Sequence, residues 1–123
     1  MKHGPITPDD LEISVDHSEE GTLVRLHGRL GIDSSPDLRD RLLAILHGQA
    51  PKAVVVDVTQ VSYIDTSGVA TLLEALKIAH NRKTTLCLKG LQGRMARLFE
   101  VTGLMALFET ADCRRASLAT KVT

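Results

Sequence analysis

At 123 residues, with 15 Lys+Arg against 15 Asp+Glu, the chain has the length of one domain and a formal net charge of +0, enough to bury a core without disulfide or metal staples. A balanced surface removes the electrostatic case for nucleic acid, which needs an excess of Lys and Arg on one face. Aromatic residues make up 2% of the chain, only Tyr63, Phe99 and Phe108 with no Trp, so base-stacking platforms and aromatic-lined ligand clefts have little to be built from.

The apolar runs, Ala53-Val54-Val55-Val56 among them and none longer than five residues, fall far short of the roughly 20 residues that span a bilayer. Met1-Lys2-His3-Gly4-Pro5 carries no signal-peptide stretch. A cytoplasmic protein without direct membrane insertion is expected. Cys87 and Cys113 show no CxxC spacing and read as reduced thiols, with pairing between them left open. No repeat or long linker divides the chain, so residues 1–123 read as a single domain with its core over about 10–110.

In chain order, Leu11, Ile13 and Val15 alternate with Glu12, Ser14 and Asp16, the period of a half-buried strand. Ser18-Glu19-Glu20-Gly21 supplies a turn, and alternation resumes over Thr22 to His27, predicting an antiparallel hairpin. Ser35 reads as an N-cap, Pro36 as the first helical residue and Gly48 as the stop. Leu38, Leu42, Ile45 and Leu46 make the apolar face between. The β-branched run at Val54 to Val56 predicts a central strand covered on both faces.

A loop is expected after Asp57, then a helix from about Thr66 to Asn81 with Val69, Leu72, Leu73, Leu76 and Ala79 buried. Thr84 to Leu88 reads as a strand. Gln92 to Thr102 reads as a helix with Met95, Leu98 and Phe99 inward, stopped by a left-handed Gly103 with Leu104 folding back. Ala106-Leu107-Phe108 suggests a brief edge strand, and 112–121 a last helix. The sum is an α/β domain with a mixed sheet of four to five strands and about four helices.

Chemistry concentrates in Asp57-Val58-Thr59-Gln60-Val61-Ser62-Tyr63-Ile64-Asp65-Thr66-Ser67-Gly68. A strand leads into a helix whose start is a cluster of small polar residues. Sites in open α/β sheets gather at strand carboxyl ends, and a helix N-terminus offers unpaired amides and partial positive charge. A hydroxyl there can carry a phosphate, and Gly68 removes a side chain so that a partner can approach. On local chemistry alone, however, Asp65, Thr66 and Ser67 read first as ordinary capping residues.

Other constellations fail on their own terms. A receiver domain phosphorylated at Asp57 needs an acidic pair after its first strand, whereas Asp9-Asp10 precede it. Ser67 interrupts the Asp-Thr-Gly of an aspartic protease, and Asp65 stands where a nucleophile elbow needs Gly. His3, His17, His27, His47 and His80 are scattered without ligand-like pairing, so no metal or other cofactor is expected. Arg94, Arg97 and Arg114-Arg115 read as a solvated face.

The stretch from Asp57 to Val69 resembles the signature of STAS domains, in the form seen in bacterial anti-sigma-factor antagonists. Gly28-Arg29-Leu30, Val101-Thr102-Gly103-Leu104 and Leu107-Phe108 match in order and spacing over about residues 10–110. The resemblance implies a non-enzymatic binding domain. Its partners would be an anti-sigma factor that is also a serine kinase and a PP2C-like phosphatase that reverses the kinase. It maps the phosphorylated serine onto Ser67, with Asp65, Thr66 and Gly68 beside it.

The same resemblance puts the loop at Arg29, Gly31 and Asp33 in the partner surface. Family members commonly carry Gly-Glu-Leu-Asp there. Here Arg29 and Gly31 replace both acids, Asp33 lies two positions on, and the departure bears directly on the kinase partner. A STAS scaffold of a stress-signalling complex and a cytosolic STAS subunit of a lipid ABC transporter share the fold and remain alternatives.

Overall fold

The computed structural model describes residues 11–48 and 51–108. Strands β1 (Leu11–Ser18) and β2 (Gly21–Leu30) form the expected antiparallel hairpin. Helix α1 (Ser35–Gly48) leads to β3 (Ala53–Ile64), and α2 (Thr66–Asn81) leads to β4 (Thr85–Lys89). Two short helices follow, α3 (Gly93–Val101) and α4 (Met105–Phe108). Strands β2, β3 and β4 run parallel, and the order β1-β2-β3-β4 makes a mixed four-stranded sheet.

Strand β3 is the centre of the fold. Val54 and Val56 face the main core together with Leu26, Leu38, Leu42 and Leu72, while Val55 packs with Cys87 and Leu23 in a second cluster. Burial on both faces is what its unbroken β-branched run requires. Every predicted apolar residue of α1 is buried, and Gly103 takes the expected left-handed turn at φ 76°. None of the described helices is long and apolar enough to cross a membrane.

Several elements depart from the sequence reading. No loop follows Asp57, because β3 continues to Ile64. Its pairing with β2 steps from Arg25↔Asp57 to His27↔Gln60, and from Gly28↔Val61 to Arg29↔Tyr63. Each step adds one residue to β3 alone, a bulge that re-aims the side chains beyond it. Val58, Val61 and Ile64 therefore turn inward at a spacing of three, which no period-two pattern detects.

Helix α1 starts one residue differently, since the Leu38 N–H donates to the Ser34 carbonyl, and the Ser35 hydroxyl donates back to the Gly31 carbonyl at 2.7 Å. In α2 the most buried residues are Gly68, Thr71, Leu72, Ala75 and Ala79, with Val69, Leu73 and Leu76 only partly covered. Small side chains let this helix lie close to its neighbours, and the larger ones flank the contact.

In α3 only Phe99 is fully buried. Met95 is half-buried and Leu98 exposed. Ala106-Leu107-Phe108 is helical, because Phe108 turns in to meet Phe99 with ring centroids 6.2 Å apart. Cys87 is disulfide-bonded rather than a reduced thiol; two isolated cysteines carry no spacing signal for pairing. The helix expected over 112–121 lies outside the described residues.

Gly68 seats α2 on the sheet. A Cβ there would lie 2.7 Å from the Leu30 carbonyl oxygen, 2.8 Å from Leu30 Cγ and 2.9 Å from Ile64 Cγ1. Its missing side chain serves internal packing, not the approach of a partner. Gly68→Ala is expected to destabilise the domain by about 1–3 kcal/mol through overpacking; a urea denaturation midpoint equal to wild type would refute this.

Arg39 and Glu74 join α1 to α2 through two parallel bonds of 2.9 Å each. The hydrogen bond from Arg39 holds the Glu74 carboxyl below its ordinary value, against opposing desolvation. A depressed folded value means the pair stabilises above the ordinary glutamate range, and that the benefit is lost as pH falls through the folded value. The stability difference between wild type and Glu74→Gln should therefore shrink on acidification. It should also shrink in about 1 M salt, because both side chains are largely exposed. Thermal melts across pH and salt would detect a difference that stays constant instead.

Candidate functional site

The bulged end of β3 delivers Asp65 to the start of α2, at the carboxyl edge of the parallel strands. Asp65 has an extended backbone and is the N-cap: its Oδ1 accepts the Ser67 N–H at 2.9 Å and the Gly68 N–H at 3.2 Å. This is the cap the sequence predicts, and it satisfies donors that a helix start otherwise leaves open. The other carboxylate oxygen reaches across to the loop between β2 and α1 and accepts the Ile32 N–H at 3.2 Å.

That reach depends on Gly31. A Cβ at this position would stand 2.9 Å from Asp65 Oδ2 and 3.5 Å from the Tyr63 ring. The loop also closes on itself: the Ser34 hydroxyl donates to the Arg29 carbonyl at 2.7 Å and accepts the Gly31 N–H at 3.0 Å. Any side chain at position 31 would displace the Asp65 carboxylate from this position, and an acid would also set a second carboxyl group beside it.

Arg29, Gly31, Asp33 and Asp65, named from the sequence, surround one hollow of about 250 Å³, together with Ile32 and Tyr63. Beyond Asp65 the exposure is graded, with Thr66 exposed, Ser67 half-buried and Gly68 buried. Ser67 is held by its main-chain N–H, and among the described residues its hydroxyl enters no hydrogen bond. The Arg29 guanidinium lies 3.9 Å from the centre of the Tyr63 ring, a cation–π contact that fixes its charge at the rim.

Sequence reasoning missed Ile32 and Tyr63. Ile32 is 71% exposed at the loop tip, and Tyr63 is 40% exposed on the outward face of β3. The only signal for Ile32 was an apolar residue between Gly31 and Asp33. Tyr63 was hidden by the bulges, which make its strand look like a loop.

The family profile described as "Mlab, STAS domain" matches residues 13–109. The anti-sigma-B factor antagonist of Listeria monocytogenes is 31% identical over 104 residues, covering 80% of this chain and 89% of that protein. The anti-sigma-B factor antagonist of Bacillus subtilis is 26% identical over 100 residues, covering 81% and 90%. Among solved structures, an anti-sigma factor antagonist from Mycobacterium paratuberculosis superposes with a TM-score of 0.73 at 21% identity, over 94% of this chain and 97% of that one.

The Bacillus cell fate determinant SpoIIAA in its phosphorylated form gives a TM-score of 0.68 at 16% identity, over 91% and 100%. A bulged central strand, a capped helix start with a serine second in the helix, and a profile match over most of the length lead to one conclusion. The chain belongs to the STAS domain family and resembles its anti-sigma-factor antagonists.

Proposed function

We propose that the protein is an anti-sigma-factor antagonist: a cytoplasmic binding domain that captures an anti-sigma factor and is released from it by phosphorylation of Ser67. The observation that carries this reading is Ser67 itself. Its hydroxyl is uncommitted at a helix N-terminus whose amides are already ordered by Asp65. The named relatives add the partner class, an anti-sigma factor.

In this reading the anti-sigma factor is a serine kinase. The Ser67 Oγ forms a bond to the γ-phosphorus of its ATP, loses its proton and expels ADP; a PP2C-like phosphatase returns the hydroxyl by hydrolysis. Both Asp65 oxygens are occupied by main-chain N–H groups, which supports a substrate's role for Ser67 rather than a nucleophile's. Arg29, Gly31, Asp33, Asp65 and Thr66 form the surrounding contact surface, and the buried Gly68 seats the helix beneath it.

Phosphorylation adds about −1.5 to −2 charges at pH 7. The helix N-terminus accommodates that charge inside this domain, but a partner packed over Ser67 would bury it unpaired. Converting a complex from 99:1 bound to 99:1 free takes about 5.5 kcal/mol of differential affinity, within reach of a desolvated dianion at an interface.

The second reading rests on Arg29 and Gly31, which leave the loop without its usual acids. With that change the same surface would dock on a different partner, either a stress-signalling assembly or the ATPase of a lipid ABC transporter. Affinity capture with the wild-type chain separates the readings by whether an anti-sigma kinase, a large homologous assembly or an ABC ATPase is retained. With the kinase, Ser67→Ala should take up no phosphate and stay bound, and Ser67→Asp should weaken binding at least about tenfold, about 1.4 kcal/mol. Phosphate mapped to another residue would overturn the assignment.

A further inference from the structure

Resting on the reading of Ser67 as the modified residue, we propose that Asp65 relays the state of Ser67 to the loop between β2 and α1. In this role Asp65 is a positioning residue whose two oxygens serve two elements. Oδ1 holds the N–H groups of Ser67 and Gly68, and Oδ2 holds the N–H of Ile32. The two helix-start donors and the loop tip are thus tied to one carboxylate.

A phosphate on Ser67 is an anion two residues from that carboxylate and next to the same amides. It repels Asp65 by like charge and competes for the helix N-terminus, which favours anions. The two oxygens belong to one planar group on a short side chain, so a force on Oδ1 is also felt at Oδ2. When Oδ1 is displaced, Oδ2 leaves the Ile32 N–H, and the loop tip loses its tie to α2. Ile32, 71% exposed, sits on the rim of the same hollow as Asp33 and Asp65. Modification thereby changes the partner surface at a position that carries no phosphate.

Two substitutions isolate the relay. In Asp65→Asn the side-chain oxygen still caps Ser67 and Gly68, but the amide nitrogen turned to Ile32 cannot accept a hydrogen bond. In Gly31→Ala the new methyl would stand 2.9 Å from Asp65 Oδ2 and push it from Ile32, with no left-handed backbone to strain.

The test installs phosphoserine at position 67 of the full chain by codon suppression, so that no kinase is needed, and follows amide exchange residue by residue by NMR. Phosphorylation should speed Ile32 exchange about tenfold, as loss of one charge-assisted bond implies. Asp65→Asn and Gly31→Ala should do so without phosphate, and phosphate should add nothing further in Asp65→Asn. Unchanged Ile32 exchange in the phosphorylated wild type overturns the relay, as does an equal phosphate effect in Asp65→Asn. If the phosphorylated chain releases its partner while Ile32 exchange stays unchanged, the relay fails and the phosphorylation switch stands. If Ile32 responds but the partner is retained, the switch fails and the relay stands.

Discussion

The carboxylate of Asp65 accepts main-chain N–H groups from both sides of the site, one of them from Ile32, 33 residues away in sequence. Without it, the start of α2 would expose unsatisfied donors, and the loop after β2 would keep only its internal ties. The surrounding structure is arranged to let this one group reach both ways. The bulges of β3 set where Asp65 emerges, Gly31 clears the path to Ile32, and Gly68 lets α2 settle on Leu30 and Ile64. The site is therefore a consequence of how the central strand ends.

Most of the fold was legible because its signals are local. Alternation over Leu11 to Val15, the apolar face of α1 and the β-branched run at Val54 each act within a few residues. What was misread required information from another strand or helix. The register steps against β2 turned an apparent loop into the second half of β3. The ring of Phe99 made Phe108 part of a helix rather than an edge strand. In α2 the close approach of its neighbours buried Thr71, Ala75 and Ala79 ahead of larger residues.

The candidate site divides along the same line. Asp65 to Gly68 is contiguous and was readable as a capped helix start. Its assembly with Arg29, Gly31 and Asp33 came from resemblance, and the geometry supplies the reason for it in the path from Asp65 to Ile32. Ile32 and Tyr63 were invisible because nothing in a linear pattern marks an outward apolar residue as meaningful. The role of Gly68 changed from an opening for a partner to a packing requirement.

The gradation of exposure around Asp65 also bears on how such a module can diversify. Gly68, Leu30 and Ser34 are buried against neighbouring elements, so changes there are felt by the whole domain. Ile32 and Asp33 on the rim of the hollow, and Thr66 at the start of α2, stand in solvent, where substitutions typically move stability by no more than about 0.5 kcal/mol. After gene duplication, drift at those three positions could rewrite recognition while the scaffold stayed under constraint. Sister domains within one cell could in this way become deaf to each other's partners without any intermediate losing its fold.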